Sequence, residues 1–523
     1  MLPPPLLALE FTNLDWGIVI VYLGLSVAIG LLANKVVTGL SGYLVAGRHL
    51  GTALSIATMT GSELGLITVM YQAQKGFTGG FAALHIGLIA GIVTLFVGLS
   101  GFIVVGLRRA RVMTIPEYYE MRFDKHTRVL GGTLLALGGI LNMGMFLKIG
   151  SQFVVGVTGI ETNMVAVVMV ALLALVLFYT VMGGMVSVVL TDYVQFVVLS
   201  LGLMAMVFLA ISNLGMEHII DVSRAKLGDA SFDPTHAESA FGPGYIAWMG
   251  VMGLISCAVW PTAVSRALAS RDETVVKRQF SLSSISFMIR FLIPCFLGIC
   301  AFVFLTDHGA QFFAKGSFIL AGDTVKHDSI MGLPIFIQEL LPMGVLGLIT
   351  AAMLAAFMST HDSYLLCWAS VIARDIIAPL VPSQASDKRQ LLWTRVFIVL
   401  IGLYVLYWGL VYKASQDIWD YLGVTGAVYF TGAIVVLTGG LYWKRASRTG
   451  ARFALWAGLS AILGLGPVQE AVGLVDDAGV KLFQAHQIGL ATLAFAICAM
   501  ILGSLAFPDN NLPEEDAPKE AQA

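Results

Sequence analysis

The chain has 523 residues, 58% of them apolar and only 12% charged, with a formal net charge of -2. Its apolar runs repeatedly exceed the ~20 residues that cross a bilayer. That excludes a soluble pair of domains and points to an all-α polytopic membrane protein, with the lipid bilayer as its first partner. No nucleic-acid partner is expected, because the basic residues sit in short loops rather than on one surface. The five cysteines, Cys257, Cys295, Cys300, Cys367 and Cys498, fall inside predicted spans without metal spacing. They read as small apolar fillers. The opening Met1-Leu-Pro-Pro-Pro5 lacks a basic n-region, so no cleaved signal peptide is expected.

Thirteen spans are predicted in chain order, near 15–34, 51–75, 80–107, 131–157, 163–189, 192–213, 244–268, 281–305, 342–371, 393–412, 417–443, 453–471 and 485–507. If the N-terminus lies outside, the interior loops collect Arg108, Arg109, Arg111, Arg122, Lys125, Arg128, Arg271, Lys277, Arg278, Arg374, Lys388, Arg389, Lys444, Arg445, Arg448 and Arg452. The exterior loops hold only Lys75, Arg224, Lys226, Lys315, Lys326, Lys413 and Lys481. The positive-inside rule therefore sets the N-terminus outside and the C-terminus in the cytoplasm. Residues 508–523, with Glu514, Glu515 and Asp516, read as a disordered cytoplasmic tail.

Two spans carry breakers at mid-depth. The second reads Ala57-Thr-Met-Thr-Gly-Ser-Glu-Leu-Gly65, and its glycines weaken the helix around Glu63. The seventh reads Gly250-Val-Met-Gly-Leu-Ile-Ser-Cys-Ala-Val-Trp-Pro261, with two glycines and a proline. Interrupted helices five spans apart are the pattern of an inverted repeat, 51–213 against 244–443, and broken helices offer carbonyls and half-helix dipoles to ions and solutes. Glycine and proline are also common in ordinary membrane helices.

The ninth span holds Leu354-Ala-Ala-Phe-Met-Ser-Thr-His-Asp-Ser-Tyr364. On a helix, Ala356, Ser359, Thr360 and Ser363 share a face, with Asp362 flanking it on the Ser359 side. Hydroxyls, a carbonyl and a carboxylate are the hard oxygen donors that a small alkali cation needs. A carboxylate at mid-membrane costs roughly 2.5–3.5 kcal/mol even on lenient scales, which makes Asp362 a functional candidate. The bland alternative is that each hydroxyl bonds back to the preceding turn or joins helices together.

The sixth span opens with Gly183-Gly-Met-Val-Ser-Val-Val-Leu-Thr-Asp-Tyr-Val-Gln195. With this run, the Ala-x-x-Ser-Thr stripe of the ninth span, Ser265-Arg-Ala-Leu and Trp443-Lys-Arg, the chain resembles the sodium:solute symporter family over roughly 15–505. Asp192 and Gln195 also suit a helix N-cap and its N3 partner. The resemblance implies a leucine-transporter-like core of ten helices, arranged as five plus five inverted, with alternating access and sodium-driven import. It places a sodium site on the carbonyls of Ala57, Thr60 and Ala356 and the hydroxyls of Ser359 and Thr360. In some relatives a second cation site follows, here Asp192, Ser359, Asp362 and Ser363. This chain puts a carboxylate at Asp362 where those relatives have a hydroxyl, so either sodium or a proton fits there. The positions matching the solute site of sugar-transporting relatives are Glu63, Asn142 and Arg290, either as a polar cradle or as an internal ion pair. In the seventh span Ser256 and Trp260 stand where those relatives have an aromatic gate and an Asn, and Pro261 resembles the proline-transporting branch. The solute expected is small and polar, sugar-like ahead of an amino acid or organic acid.

His85, Lys148, His361, Asp420 and Tyr421 are further polar positions, for which packing or snorkelling is the expected role. A sensory protein on this fold would need an appended signalling domain, for which the tail is too short. A channel would need pore-lining rings of charge or carbonyls. Ser359, His361 and Asp362 on one helix do not converge as a catalytic triad, so no enzyme is expected. A monomer is expected to suffice for transport, with sodium as the coupling ion.

Overall fold

A computed structural model of the chain describes residues 11–33, 48–236, 239–313, 316–321, 326–381, 386–412, 417–476 and 481–509. It is a helical bundle. The elements used below are α1 (Asn13–Ala33), α2 (Thr52–Glu63), α3 (Leu66–Gly79), α4 (His85–Ser100), α5 (Ile115–Arg122), α6 (Lys125–Met143), α7 (Phe146–Thr158) and α8 (Val165–Leu214). They continue with α9 (Pro243–Val259), α10 (Pro261–Ala269), α11 (Glu273–Asp307), α12 (Val345–Val371), α13 (Asp387–Val411), α14 (Ile418–Tyr442), α15 (Arg448–Gly458) and α16 (Ala485–Ala506).

The long helix α11 is the post against which the first crossings stand. Glu63 pairs with Arg290 and Phe77 meets Phe302, so α2 and α3 run parallel to α11. Gly80, at φ 62°, turns the chain back. Then Gly87 lies on Leu292 and Gly98 on Ser281, so α4 returns antiparallel. The crossing of α3 with α11 is backbone on backbone. A Cβ at Gly76 would sit 1.9 Å from the Cys295 carbonyl oxygen, and one at Gly298 1.9 Å from that of Ala73. Without a hydrophobic drive between helices in lipid, such small-residue contact is what holds them together.

Among the described residues, eight helices are long and apolar enough to cross a membrane, or nine if the bent pair α9 and α10 counts as one. The thirteen expected spans exceed this for local reasons. Leu66–Ser100 counts once although it reverses at Gly80, and α2 has only 12 residues. The expected span 453–471 divides into α15, a 3₁₀ segment Leu459–Gly464 and a short helix Gly466–Ala471. The expected spans 163–189 and 192–213 form one helical run, α8. Met169 nonetheless packs on Gly409 and Gly202 on Ile349. Those two contacts lie at one end of the neighbours α12 and α13, which are joined at the other end by a π-helical turn, Ile372–Ile377. A straight helix would separate Met169 from Gly202 by roughly 50 Å, so α8 folds back within its length. Residues 510–523, most of the expected tail, lie outside the described residues.

The two ends of the bundle differ in charge. At one end Arg109 pairs with Glu273, Arg128 with Glu120 and Asp375, Arg374 with Glu117 and Arg452 with Asp124. All four arginines belong to the loops expected inside. At the opposite end His218 meets Asp307, and a three-stranded antiparallel patch pairs Phe312 with Phe318 and Ile319 with Lys326. Phe77 packs against Phe312 and Phe318 and anchors that patch on α3. There too, Asp15 of α1 accepts the backbone N–H groups of Gly344 and Gly347 at 2.8 and 2.9 Å, a carboxylate cap on the start of α12.

Candidate functional site

Helix α2 stops at Glu63, and Gly65 is extended (φ -93°, ψ 168°) before α3 begins. Gly61 and Ser62 stay helical, so the break falls just after the carboxylate. A helix ending in a bundle core leaves carbonyls that need donors. The Thr60 carbonyl takes the Leu64 N–H at 2.8 Å. The Glu63 carbonyl takes the Thr68 hydroxyl at 2.8 Å and Arg290 Nη1 at 3.0 Å. The Glu63 carboxylate is shared: Oε2 accepts from Arg290 at 3.0 Å and Oε1 from Thr262 at 2.8 Å. The Arg290 guanidinium in turn lies over Phe287 and Phe291, 3.8 and 4.6 Å from their ring centres. Of the two roles open to Glu63 and Arg290, an ion pair is therefore formed, and both side chains still face the cavity described next.

Of the two glycines and the proline that the sequence offers for the second break, the proline is the cause. Gly250 and Gly253 lie inside the continuous helix α9, and the 41° bend comes only at Trp260–Pro261. Proline pushes the preceding residue out of the helical region and itself starts α10. Trp260 is extended (ψ 119°), and its indole N–H donates to the Tyr364 hydroxyl at 3.1 Å.

Between the two breaks lies a cavity of about 470 Å³. Glu63, Asn142, Ser256, Trp260 and Arg290, the five solute positions expected from the sequence, all line it, as does Thr360. Asn142 donates its amide to the Leu422 carbonyl at 2.9 Å and the Thr425 hydroxyl at 3.1 Å. Its amide oxygen takes no part in these bonds. Ser256 bonds back to Gly253 at 3.2 Å. Tyr71, Trp248 and Trp419 supply aromatic wall. Below, Trp260 meets Tyr364, Trp368 and Phe430 edge to face at 5.3, 5.5 and 5.0 Å and makes a solid floor. A far smaller cavity of about 50 Å³, touching Pro261, Arg266, Ser363 and Cys367, lies toward the arginine-rich end. The large cavity reaches the other end, where Tyr245, Asp420 and His486 line its mouth.

The expected sodium ligands lie beside the first break. Ala57, Thr60, Ala356, Ser359 and Thr360 are all buried. Thr360 donates its hydroxyl proton to the Ala356 carbonyl at 2.9 Å, the back-bond that the bland reading anticipates. That bond leaves the oxygen lone pairs available. A Cβ at Gly65 would fall 2.1 Å from that hydroxyl oxygen, so the break lies directly against α12 only because Gly65 has no side chain. Of the expected second cation set, Asp362 is 1% exposed, and Ser363 accepts from Arg266 Nη2 at 2.9 Å. The side chain of Asp192 lies outside the described residues. Among those described, no three His, Cys, Asp or Glu side chains gather as a metal cluster.

The remaining polar positions divide. His85 and His361 bond to backbone carbonyls, Ala82 at 2.7 Å and Phe357 at 2.9 Å, and pack against the rings of Phe241 and Phe357. Lys148 donates to the Tyr412 carbonyl at 3.1 Å, and Tyr421 to that of Leu141. Asp420 does more than pack. With Asp417 it holds Lys75 at 3.2 and 3.0 Å. Lys75, counted from the sequence with the exterior loops, is 5% exposed. Sequence reading missed this lysine, Thr262, Arg266 and Ser286; only the Ser265-Arg run hinted at any of them.

The sequence pattern of the sodium:solute symporter family matches residues 43–458. The chain belongs to that family. As a sodium:solute symporter it is a multi-pass membrane transporter and not an enzyme. It is 25% identical over 533 residues to the sodium/glucose cotransporter 4 of Danio rerio, covering 96% of this chain and 80% of that one. It is 24% identical over 530 residues to the sodium/glucose cotransporter of Vibrio parahaemolyticus, covering 97% and 92%. The substrate-bound, outward-open structure of a Na+-coupled sialic acid symporter superimposes with a TM-score of 0.77 at 19% identity, over 96% of this symporter and 100% of that chain. At that identity the likeness shows the fold, a leucine-transporter-like one.

Gly65 supplies a direct test of the contact between break and stripe. Gly65→Ala is expected to push α3 from Thr360 and raise the half-saturating sodium at least tenfold, read by thermal stabilisation of the purified protein in sodium against choline chloride. An unchanged sodium dependence would show that the Gly65–Thr360 contact has no part in ion binding.

Proposed function

We propose that this symporter imports a small, polar, sugar-like solute by alternating access, driven by sodium bound at Ala57, Thr60, Ala356, Ser359 and Thr360. The observation that carries this reading is the meeting of two groups at one break: five solute positions on one cavity wall, and the buried oxygens of the sodium set behind it. Five neutral oxygens make a cage weak enough to fill and to empty. A cavity of about 470 Å³ falls in the usual range for small-molecule sites, roughly 300–1,000 Å³. Asn142, Ser256 and the Glu63–Arg290 pair offer directed hydrogen bonds, while the aromatic wall takes the flat faces of a ring. The relatives named above transport glucose or sialic acid, and their chemistry comes to this chain only as support for that class.

The arginine-rich end is the cytoplasmic one in this reading, which puts the cavity mouth outside and the N-terminus with it, in the plasma (inner) membrane. Residues 51–213 and 244–443 form the two inverted repeats, each contributing one broken helix to the cavity, and a single copy suffices. A second cation is held near Asp362, with Asp192 and Ser363 and with Arg266 close by at Ser363. Sodium is set ahead of a proton there, because two like charges in low dielectric call for a counter-ion.

Ser359→Ala and Thr360→Ala should each raise the half-saturating sodium for uptake several-fold while protein abundance holds. Uptake is measured in proteoliposomes on a panel of monosaccharides, amino acids and small organic acids. Unaltered sodium dependence in both variants would place the ion elsewhere. In the same vesicles the reversal potential should report more than one cation per solute, falling toward one in Asp362→Ala. A ratio of one sodium and no proton in the unmodified protein would remove the second cation.

A further inference from the structure

Thr60 and Glu63 lie three residues apart and face α11 together. Opposite them, Ser286 and Arg290 stand four apart on one face of that helix. The pairs match in parallel register. Thr60 Oγ1 and Ser286 Oγ are 2.9 Å apart, and Arg290 holds both the carboxylate and the main-chain carbonyl of Glu63 at 3.0 Å. The proton assignment follows from the neighbours. Ser286 donates its own hydroxyl proton to the Ser283 carbonyl at 2.9 Å, so the Thr60 hydroxyl donates to Ser286. The last turn of α2 is thus gripped at both ends from one rigid helix.

The two rungs differ in what they steady. The upper rung ends on Glu63 and Arg290 in the solute cavity. The lower rung ends on Thr60, whose main-chain carbonyl belongs to the sodium set and whose side chain turns away from it toward α11. Ser286 sits behind the ligands and touches neither ion nor solute. Thr60 itself is 1% exposed, so its hydroxyl finds no water to replace a lost partner.

We propose that Ser286 is a positioning residue for sodium, fixing the last turn of α2 through Thr60 so that the carbonyls of Ala57 and Thr60 stay aimed at the ion. Because Arg290 lies on the same helix face, sodium entering at one rung stiffens the turn that presents Glu63 to solute at the other. This rests on the sodium site proposed above, and the experiment separates the two ideas.

The full-length chain is purified in detergent, and sodium alone is the probe. Sodium is titrated against choline chloride at constant ionic strength, with the thermal unfolding midpoint as the readout. Ser286→Ala should raise the half-saturating sodium at least threefold, and Ser286→Thr, which keeps the hydroxyl, should stay within 1.5-fold of the parent. A purely structural serine would lower the midpoint at zero sodium and leave the half-saturating concentration alone. If Ser286→Ala stays within 1.5-fold while Thr360→Ala shifts strongly, Ser286 has no positioning role and the sodium site stands. If neither variant shifts, the sodium site itself is misplaced and the inference goes with it. Should Ser286→Ala fail to fold, Ser286→Cys, a weaker donor and acceptor at nearly the same volume, must show the threefold rise, and parental sodium dependence in it overturns the proposal.

Discussion

A helix interrupted inside a membrane protein creates a debt of hydrogen bonds, and in this symporter the settlement of that debt at Glu63–Gly65 organises the core. Lipid cannot serve the freed carbonyls at that depth. Arg290 and Thr68 serve the Glu63 carbonyl instead, and Thr262 serves its carboxylate, from three different stretches of chain. A buried guanidinium is itself expensive unless paired, and Glu63 supplies the partner within one side-chain length. The pair therefore lets each member exist there, and it brings α2, α10 and α11 to a common point. A cavity results because the two half-helices diverge from that point and the aromatic floor at Trp260 closes only one side.

The same geometry explains why the proposed ion and solute positions adjoin. The side of α2 that faces α11 carries Thr60 and Glu63, while Gly65 lets the break lie against α12. The stripe at Ala356, Ser359 and Thr360 is then a wall of the same junction rather than a separate feature. Thr360 bonding back to Ala356 does not compete with ion binding, because a hydroxyl that gives its proton to a carbonyl keeps its lone pairs. At Ser363 the situation differs. Arg266 already donates there, so any cation nearby shares its neighbourhood with a fixed guanidinium.

Much of this was legible before any coordinates. The broken second span and the Ser–Thr stripe follow from residue types and spacing, Asn142 and Arg290 from the family resemblance, and the five positions proposed for the solute line one cavity. What stayed hidden depends on pairing across the bundle. Nothing in Gln74-Lys75-Gly76 says that the lysine is buried between Asp417 and Asp420, since a lysine near a span end ordinarily snorkels. Thr262 and Ser286 are unremarkable hydroxyls in their own helices, and only the register of α10 and α11 against α2 gives them partners. The sequence places the bend of the seventh span among two glycines and a proline, but only the proline acts: Gly250 and Gly253 stay inside the continuous helix α9. The thirteen expected spans exceed the eight long apolar helices of the described residues partly because helices reverse without a polar loop, as at Gly80 and within α8.

If one break serves both ligands, their affinities must be linked, and the linkage must be reciprocal. The direct measurement is equilibrium binding of the transported solute to the purified protein at zero and at saturating sodium, with choline keeping the ionic strength constant. The account predicts solute binding at least tenfold tighter in sodium, and sodium binding tightened by the same factor when solute is saturating. Equal solute affinity in sodium and in choline would contradict it.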